Sequence, residues 1–321
     1  MGALDPHELR RVEQTTACRD TDAIPKVEGA GAVEERADGS RVQRMHNGVL
    51  VEAGGYYGDW MTEIIRRLHG HHEPQEELAF HHVVERLKAD TPAPVMLELG
   101  AFWGYYSLWL KHALPGARTV LVEPDPANLE VGRRNFALNG FDGTFIHAAV
   151  GEDGTTGPIT CESDGVERDV ARVSVDGLLH REGIERLDVL LCDTQGAELA
   201  AIEGAAHALT DGRVRFALIS THHHSISGDP LMHRRCLELL RWRGAHIVAE
   251  HTARESASGD GLIVAAFDAR DADFQVPVTH TRARDSLFGD ADDELAAAFA
   301  RIAELEADTP RRGGLLRRVR G

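Results

Sequence analysis

Val95-Met96-Leu97-Glu98-Leu99-Gly100-Ala101-Phe102-Trp103-Gly104 is a short apolar run that ends on a carboxylate and then turns through two glycines. A run of this kind, bounded by Pro94 on one side and a glycine turn on the other, reads as a buried strand rather than a helix. The segment YYSLWLKHAL that follows has helical spacing. Working outward, the same alternation recurs: strand TVLVEP, helix PANLEVGRRNFALNG, strand TFIHAAV, a polar segment, the short element RVSVDGLL, strand LDVLLCD, helix AELAAIEGAAHAL, strand RFALIST, helix DPLMHRRCLELLRWRG, and strands HIVAEH and GLIVAAF. Strands separated by helices of about 10–15 residues predict a doubly wound α/β domain with a mostly parallel, seven-stranded sheet. The last two strands have no helix between them, so the closing strand is expected to be antiparallel.

Upstream and downstream segments divide the chain further. Residues 1–40 are polar and lack a sustained period, and are expected to be a loosely ordered leader. Residues 41–92 are expected to form a hairpin and helical cap. The hairpin is signalled by Asn47-Gly48 between two apolar runs. One helix is expected over Tyr56 to His69, and a second from Glu73, with Pro74 in its first turn and Glu76 and Glu77 at the positive end of its dipole. The main domain is read as 93–270. Residues 285–321 carry an amphipathic helix (286–309, with Leu287, Leu295, Phe299, Ile302 and Leu305) and a tail with five arginines. Helix and tail are a packing element with a solvated end, or else a docking segment for a protein partner or an anionic membrane surface.

Composition narrows the functional classes. Of 321 residues, 42% are hydrophobic and 27% charged, in the range of soluble globular domains. A net charge of -17 repels phosphate backbones and argues against nucleic acid as a partner. Four scattered cysteines without a CxxC pair point to reduced thiols rather than a zinc cluster or disulfide framework. The charged N-terminus and the lack of any apolar run of spanning length predict a cytoplasmic protein with no transmembrane segment.

Ligands of open α/β sheets sit beyond the carboxyl ends of the strands. Gly100 and Gly104 would let a ligand approach the backbone, and Glu98 would meet a cationic amino group. Glu123, about 20 residues further on, can accept hydrogen bonds from ribose hydroxyls. Phe102, Tyr105, Pro124 and Asn128 flank these positions. The turn lacks the GxGxxG spacing that cradles a pyrophosphate, and a carboxylate there would repel one. The pattern therefore favours S-adenosylmethionine over a nicotinamide dinucleotide.

The order ELGAFWGYYS, VEPDPANLEVGRRNFALNG, VSVDGLL and LLCDTQGAELAAIEGA resembles the FkbM-type methyltransferases over roughly residues 95–268. The most diagnostic block is Asp193-Thr194-Gln195-Gly196-Ala197-Glu198, although the family more often carries Glu where this chain has Gln195. The resemblance implies a class I methyltransferase fold and O-methylation, typically of a sugar or polyketide hydroxyl in natural-product or glycan assembly. A non-catalytic partner of the same fold in a glycan-assembly complex is the alternative.

A sugar hydroxyl is a poor acid, so its methylation calls for a base, and histidine is the natural candidate. Thr221-His222-His223-His224 follows the strand RFALIST. In an extended stretch His222 and His224 share a face, which makes His222 the expected base and His224 its substitute. Asp193 would orient the imidazole or hold the acceptor; with His222 and His224 it could instead hold a divalent cation. His69, His71 and His72 are expected mainly as cap-region residues that could also line the acceptor pocket, and the polar loop 250–260 either meets sugar hydroxyls or is a plain hairpin loop.

Overall fold

The computed structural model describes residues 4–281 and 291–308. Its centre is a seven-stranded sheet built from β1 (Val95–Leu99), β2 (Arg118–Glu123), β3 (Thr144–His147), β4 (Leu187–Asp193), β5 (Val214–Thr221), β6 (His246–His251) and β7 (Gly261–Ala266), in the spatial order β6-β7-β5-β4-β1-β2-β3. Strands β1 to β5 pair in parallel. Strand β7 runs antiparallel to both β5 and β6, as the missing helix between the last two strands predicts.

The strands are apolar nearly throughout because helices cover both faces. Successive residues feed opposite cores: Met96, Leu121, Val189, Leu191, Phe216 and Leu218 join one cluster, and Leu97, Val122, Leu190, Cys192, Ala217 and Ile219 the other. This is the period of two of an extended chain, hidden in the sequence because both faces are dry. All four cysteines are free and buried.

The hairpin and cap helices form as expected. Arg41–Arg44 pairs antiparallel with Leu50–Glu52, and Gly48 takes the positive φ of +94° that the turn requires. Helices run over Gly58–Arg67 and Pro74–Asp90, the latter opening on its proline. The first forty residues differ from expectation. Pro6–Ala17 is a helix closed by a capping box, in which the Asp5 carboxylate accepts from His7 and Glu8 backbone N–H groups and Glu8 reaches back to the Asp5 N–H. The Asp5-Pro6-His7-Glu8 run is the local signal for it. Packing then fixes the helix: Thr15 Oγ1 donates to the Ala257 carbonyl at 3.1 Å, and Val12 is buried. The polar segment after β3 is likewise structured, as an antiparallel ribbon of Thr156–Thr160 and Glu167–Val173.

The C-terminal helix is found over Ala291–Asp308, with Leu295, Phe299 and Ile302 exposed. Leu287 and the arginine tail lie outside the described residues. Among the described residues no helix is long and apolar enough to cross a membrane.

One buried cation joins the cap to the sheet. Arg215, fully buried near the start of β5, forks onto Asp271 (2.8 and 3.2 Å) and onto Asp90 (2.6 and 3.0 Å), the last residue of the Pro74–Asp90 helix. Asp271 is fully buried as well, so its charge depends on these partners. Replacing Arg215 with Met should lower unfolding stability by about 3 kcal/mol in urea titration, the low end of the range for a broken buried pair, because Arg86 still reaches Asp271 at 2.8 Å. A change below about 1 kcal/mol would show that the pair is not needed.

Candidate functional site

The carboxyl ends of β1, β2 and β4 open onto a cleft of about 330 Å³. The turn after β1 shapes it. Gly100 and Ala101 N–H groups both donate to the Val122 carbonyl, at 2.9 and 3.0 Å, which folds the turn over the end of β2. Gly100 has φ +74°, and a Cβ there would lie 1.6 Å from the Asp193 carbonyl oxygen. Only glycine lets the ends of β1 and β4 come this close. Phe102 also sits in the left-handed region, at φ +37°, and its N–H donates to Glu123 Oε2 at 3.0 Å. The other Glu123 oxygen accepts from the Asp125 N–H at 2.9 Å, while Asp125 itself caps the following helix. Glu98 Oε2 accepts from the Ser107 N–H at 3.1 Å.

Of the expected cofactor residues, Glu98, Gly100, Phe102, Glu123, Pro124 and Asn128 line this cleft. Gly104 and Tyr105 do not. Gly104 serves the fold instead: it has φ +69°, and a Cβ there would press on Leu121 and Phe136. Tyr105 is fully buried, with its hydroxyl 2.9 Å from His46 Nδ1.

Burial pushes the Glu98 and Glu123 carboxyls up to about 8, since neither has a cation beside it. A ligand carrying positive charge and hydroxyl donors is what such a lining compensates. S-adenosylmethionine fits on both counts: Glu98 would meet its ammonium and Glu123 its ribose, while Gly100 leaves room along the backbone.

A second cavity of about 250 Å³ adjoins the first and shares Tyr56, Tyr57, His72, Glu73, Asp193 and Gln195 with it. Its walls are aromatic and acidic, with Trp60 from the cap, Ser258 and Asp260 from the loop before β7, and Arg11 and Thr15 from the N-terminal helix. Burial pushes Asp260 up to about 7. Tyr56 stacks on Trp103 at 4.5 Å, and Gln195, at φ +52°, donates to the Tyr57 hydroxyl at 2.9 Å. The residue where the family more often has Glu therefore contacts the aromatic wall.

Asp193 does not cap the helix that follows; it faces His222, with Oδ1 3.2 Å from Nε2. The other imidazole nitrogen, Nδ1, is 2.7 Å from Glu198 Oε1, and Asp260 lies 3.6 Å from Nε2. Burial opposes the charge on His222, but Asp260, Asp193 and Glu198 outweigh it and hold the ring well above the usual imidazole range. Both ring nitrogens of His222 thus face carboxylates, so the ring has no nitrogen turned freely to the second cavity it lines. The expected alternation with His224 fails. Strand β5 stops at Thr221, and His223 caps a short helix beginning at His224, whose ring packs on His223 at 4.0 Å. His224 lines neither cavity, so Asp193, His222 and His224 do not assemble a cation site.

Among the described residues, His46, His71 and Glu77 do bring ligand-type atoms within 4.8 Å of one another. The His46 and His71 rings are stacked, 4.2 Å apart and 18° from parallel, so their lone pairs run in nearly parallel planes and do not converge on one ion.

The raised carboxyls carry a pH signature. In the folded, ligand-free protein Glu98 and Glu123 keep protons that the unfolded chain loses near 4.5, so stability falls as pH rises from there towards 8. A cationic ligand reverses the preference and releases those protons. Affinity for S-adenosylmethionine should therefore rise about tenfold between pH 6 and pH 8, with proton release detected by calorimetry in buffers of different ionisation heat. Affinity that stays flat over this interval would contradict the assignment.

Residues 90–247 match the methyltransferase FkbM domain. The chain is 29% identical over 136 residues to the transmembrane O-methyltransferases of Homo sapiens and Propithecus coquereli. That alignment covers 42% of this chain and 45% and 48% of those proteins, so it spans about half the length of the curated relatives. Among solved structures, the O-methyltransferase from Bacillus cereus in complex with SAH aligns at 18% identity and a TM-score of 0.39, covering 59% of this chain and 80% of that one. Precorrin-6y C5,15-methyltransferase from Geobacter metallireducens aligns at 13% identity and a TM-score of 0.38, covering 59% and 87%. On the domain match and its own sheet order, the chain carries an FkbM-type methyltransferase domain of the class I fold over residues 90–247.

Proposed function

We propose that this chain is an S-adenosylmethionine-dependent O-methyltransferase whose acceptor is a hydroxyl of a sugar, or of a glycosylated or polyketide metabolite. The observation that carries this reading is the continuity of the two cavities through Tyr56, Glu73, Asp193 and Gln195. A cofactor seated against Glu98 and Glu123 would have its reactive end where the second cavity begins. Bound there, it would supply a methyl group already activated by sulfonium.

The second cavity suits a polyhydroxylated acceptor. Tyr56, Tyr57 and Trp60 offer flat apolar faces, and Glu73, Asp193 and Asp260 accept hydrogen bonds from hydroxyl groups. Alignment of the hydroxyl with the methyl is the main task, because a near-attack geometry removes most of the entropic barrier. In this reading Asp193 accepts from a hydroxyl of the acceptor next to the one methylated, and His222, pinned by Glu198, fixes the Asp193 carboxylate.

The test is direct. The purified chain is incubated with methyl-labelled S-adenosylmethionine and a panel of methyl glycosides, and label transfer is followed by mass spectrometry. Transfer to a ring hydroxyl is expected, and Asp193→Asn should lower kcat by roughly 10²-fold or more while S-adenosylmethionine still binds. No S-adenosylmethionine binding by calorimetry, with Glu123→Ala indistinguishable from the wild type, would end the proposal.

A further inference from the structure

Both ring nitrogens of His222 face carboxylates, so the proton released by the acceptor needs another group, and that group has to stand where the two cavities meet. Three carboxylates line both cavities: Glu73, Glu162 and Asp193. Glu162 is exposed on the ribbon, and Asp193 is assigned above to binding the acceptor. Glu73 comes from a different element, as the residue just before the Pro74–Asp90 helix.

Its local position offers a purely structural role, which it does not take. Glu73 stands at the N-cap of that helix, yet its side chain makes no capping bond. It turns to the junction instead. There Oε2 accepts from the Tyr106 hydroxyl at 3.2 Å and lies 3.3 Å from His72 Nε2. Both contacts fall on one oxygen and leave Oε1 for a ligand. His72 cannot swing away, because its Nδ1 is bound to the buried Glu77. The chain Glu77–His72–Glu73 thus mirrors Glu198–His222–Asp193 across the junction, and Glu73 adds its field to both Asp193 and Asp260.

We propose that Glu73 is the catalytic carboxylate of the transfer and takes the proton of the acceptor hydroxyl. The new bond joins the hydroxyl oxygen to the methyl carbon as the carbon–sulfur bond breaks and leaves its electron pair on sulfur. The hydroxyl proton passes to Glu73 Oε1. One positive and one negative charge vanish together, and the products are an ether, a thioether and a neutral carboxyl. This inference rests on the methyltransferase reading above.

A group in hydrogen-bond reach of a hydroxyl poised for in-line attack lies about 6 Å from the sulfonium centre. Calorimetry can therefore place Glu73 with no acceptor present, using S-adenosylmethionine and S-adenosylhomocysteine, which differ by the methyl group and its charge. The nearly isosteric Glu73→Gln is expected to cut the ratio of the two affinities by about tenfold while S-adenosylhomocysteine binds within about twofold of wild type. An unchanged ratio, or an equal loss for both ligands, would leave Glu73 a structural residue and overturn the proposal. With whichever methyl glycoside the wild type methylates, Glu73→Gln should lower kcat by roughly 10²–10⁴-fold at a nearly constant acceptor KM, and Glu73→Asp should recover part of the loss. An unchanged kcat also overturns it. If the wild type binds S-adenosylmethionine but methylates nothing, the functional reading fails, and the affinity ratio still decides the place of Glu73.

Discussion

The site depends on the near-contact between Gly100 and the Asp193 carbonyl, too close for any side chain to come between them. Because β1 and β4 are parallel neighbours, their carboxyl ends emerge side by side, and the glycine turn lets one fold directly against the other. The residues that would hold the cofactor and those that face the acceptor are thereby joined through backbone rather than through mobile side chains. Positional precision of this kind is what an in-line displacement needs.

Around that joint the protein concentrates carboxyl groups in a dry setting. Carboxylates are costly to bury alone, and two ways of meeting the cost are visible. Beside the second cavity, imidazoles are wedged between pairs of carboxylates: His72 between Glu73 and Glu77, and His222 between Asp193 and Glu198. In the cofactor cleft, Glu98 and Glu123 have backbone donors but no cation, and are held in a state that a cationic ligand would relieve.

The second cavity is assembled from segments far apart in the chain. Arg11 and Thr15 come from the N-terminal helix, Tyr56 to Trp60 from the cap, and Ser258 and Asp260 from the loop before β7. Arg215 ties the far end of the Pro74–Asp90 helix to β5, so the helix preceded by Glu73 is braced against the strand that leads to His222. The cap is therefore part of the site's frame as well as its cover.

The sequence by itself determined the sheet, the order of its elements and which residues stand at the strand ends. These follow from local rules: apolar runs of strand length, helical spacing between them, and glycines where φ must be positive. Glu98, Gly100, Glu123 and Asp193 were legible for that reason. The Asp5–Glu8 capping box was legible too, but a polar leader obscured it. Only the tertiary structure decided what the charged side chains do. What a histidine does depends on which carboxylates other segments bring to it, and His222 meets Asp193 and Glu198 from the end of β4 and the helix start after it, and Asp260 from the loop before β7. The turn into a helix at His224 and the rotation of Glu73 away from its capping position are likewise set by packing. Backbone conformation is mostly a near-neighbour property, whereas protonation in a dry cleft is set by distant residues through space.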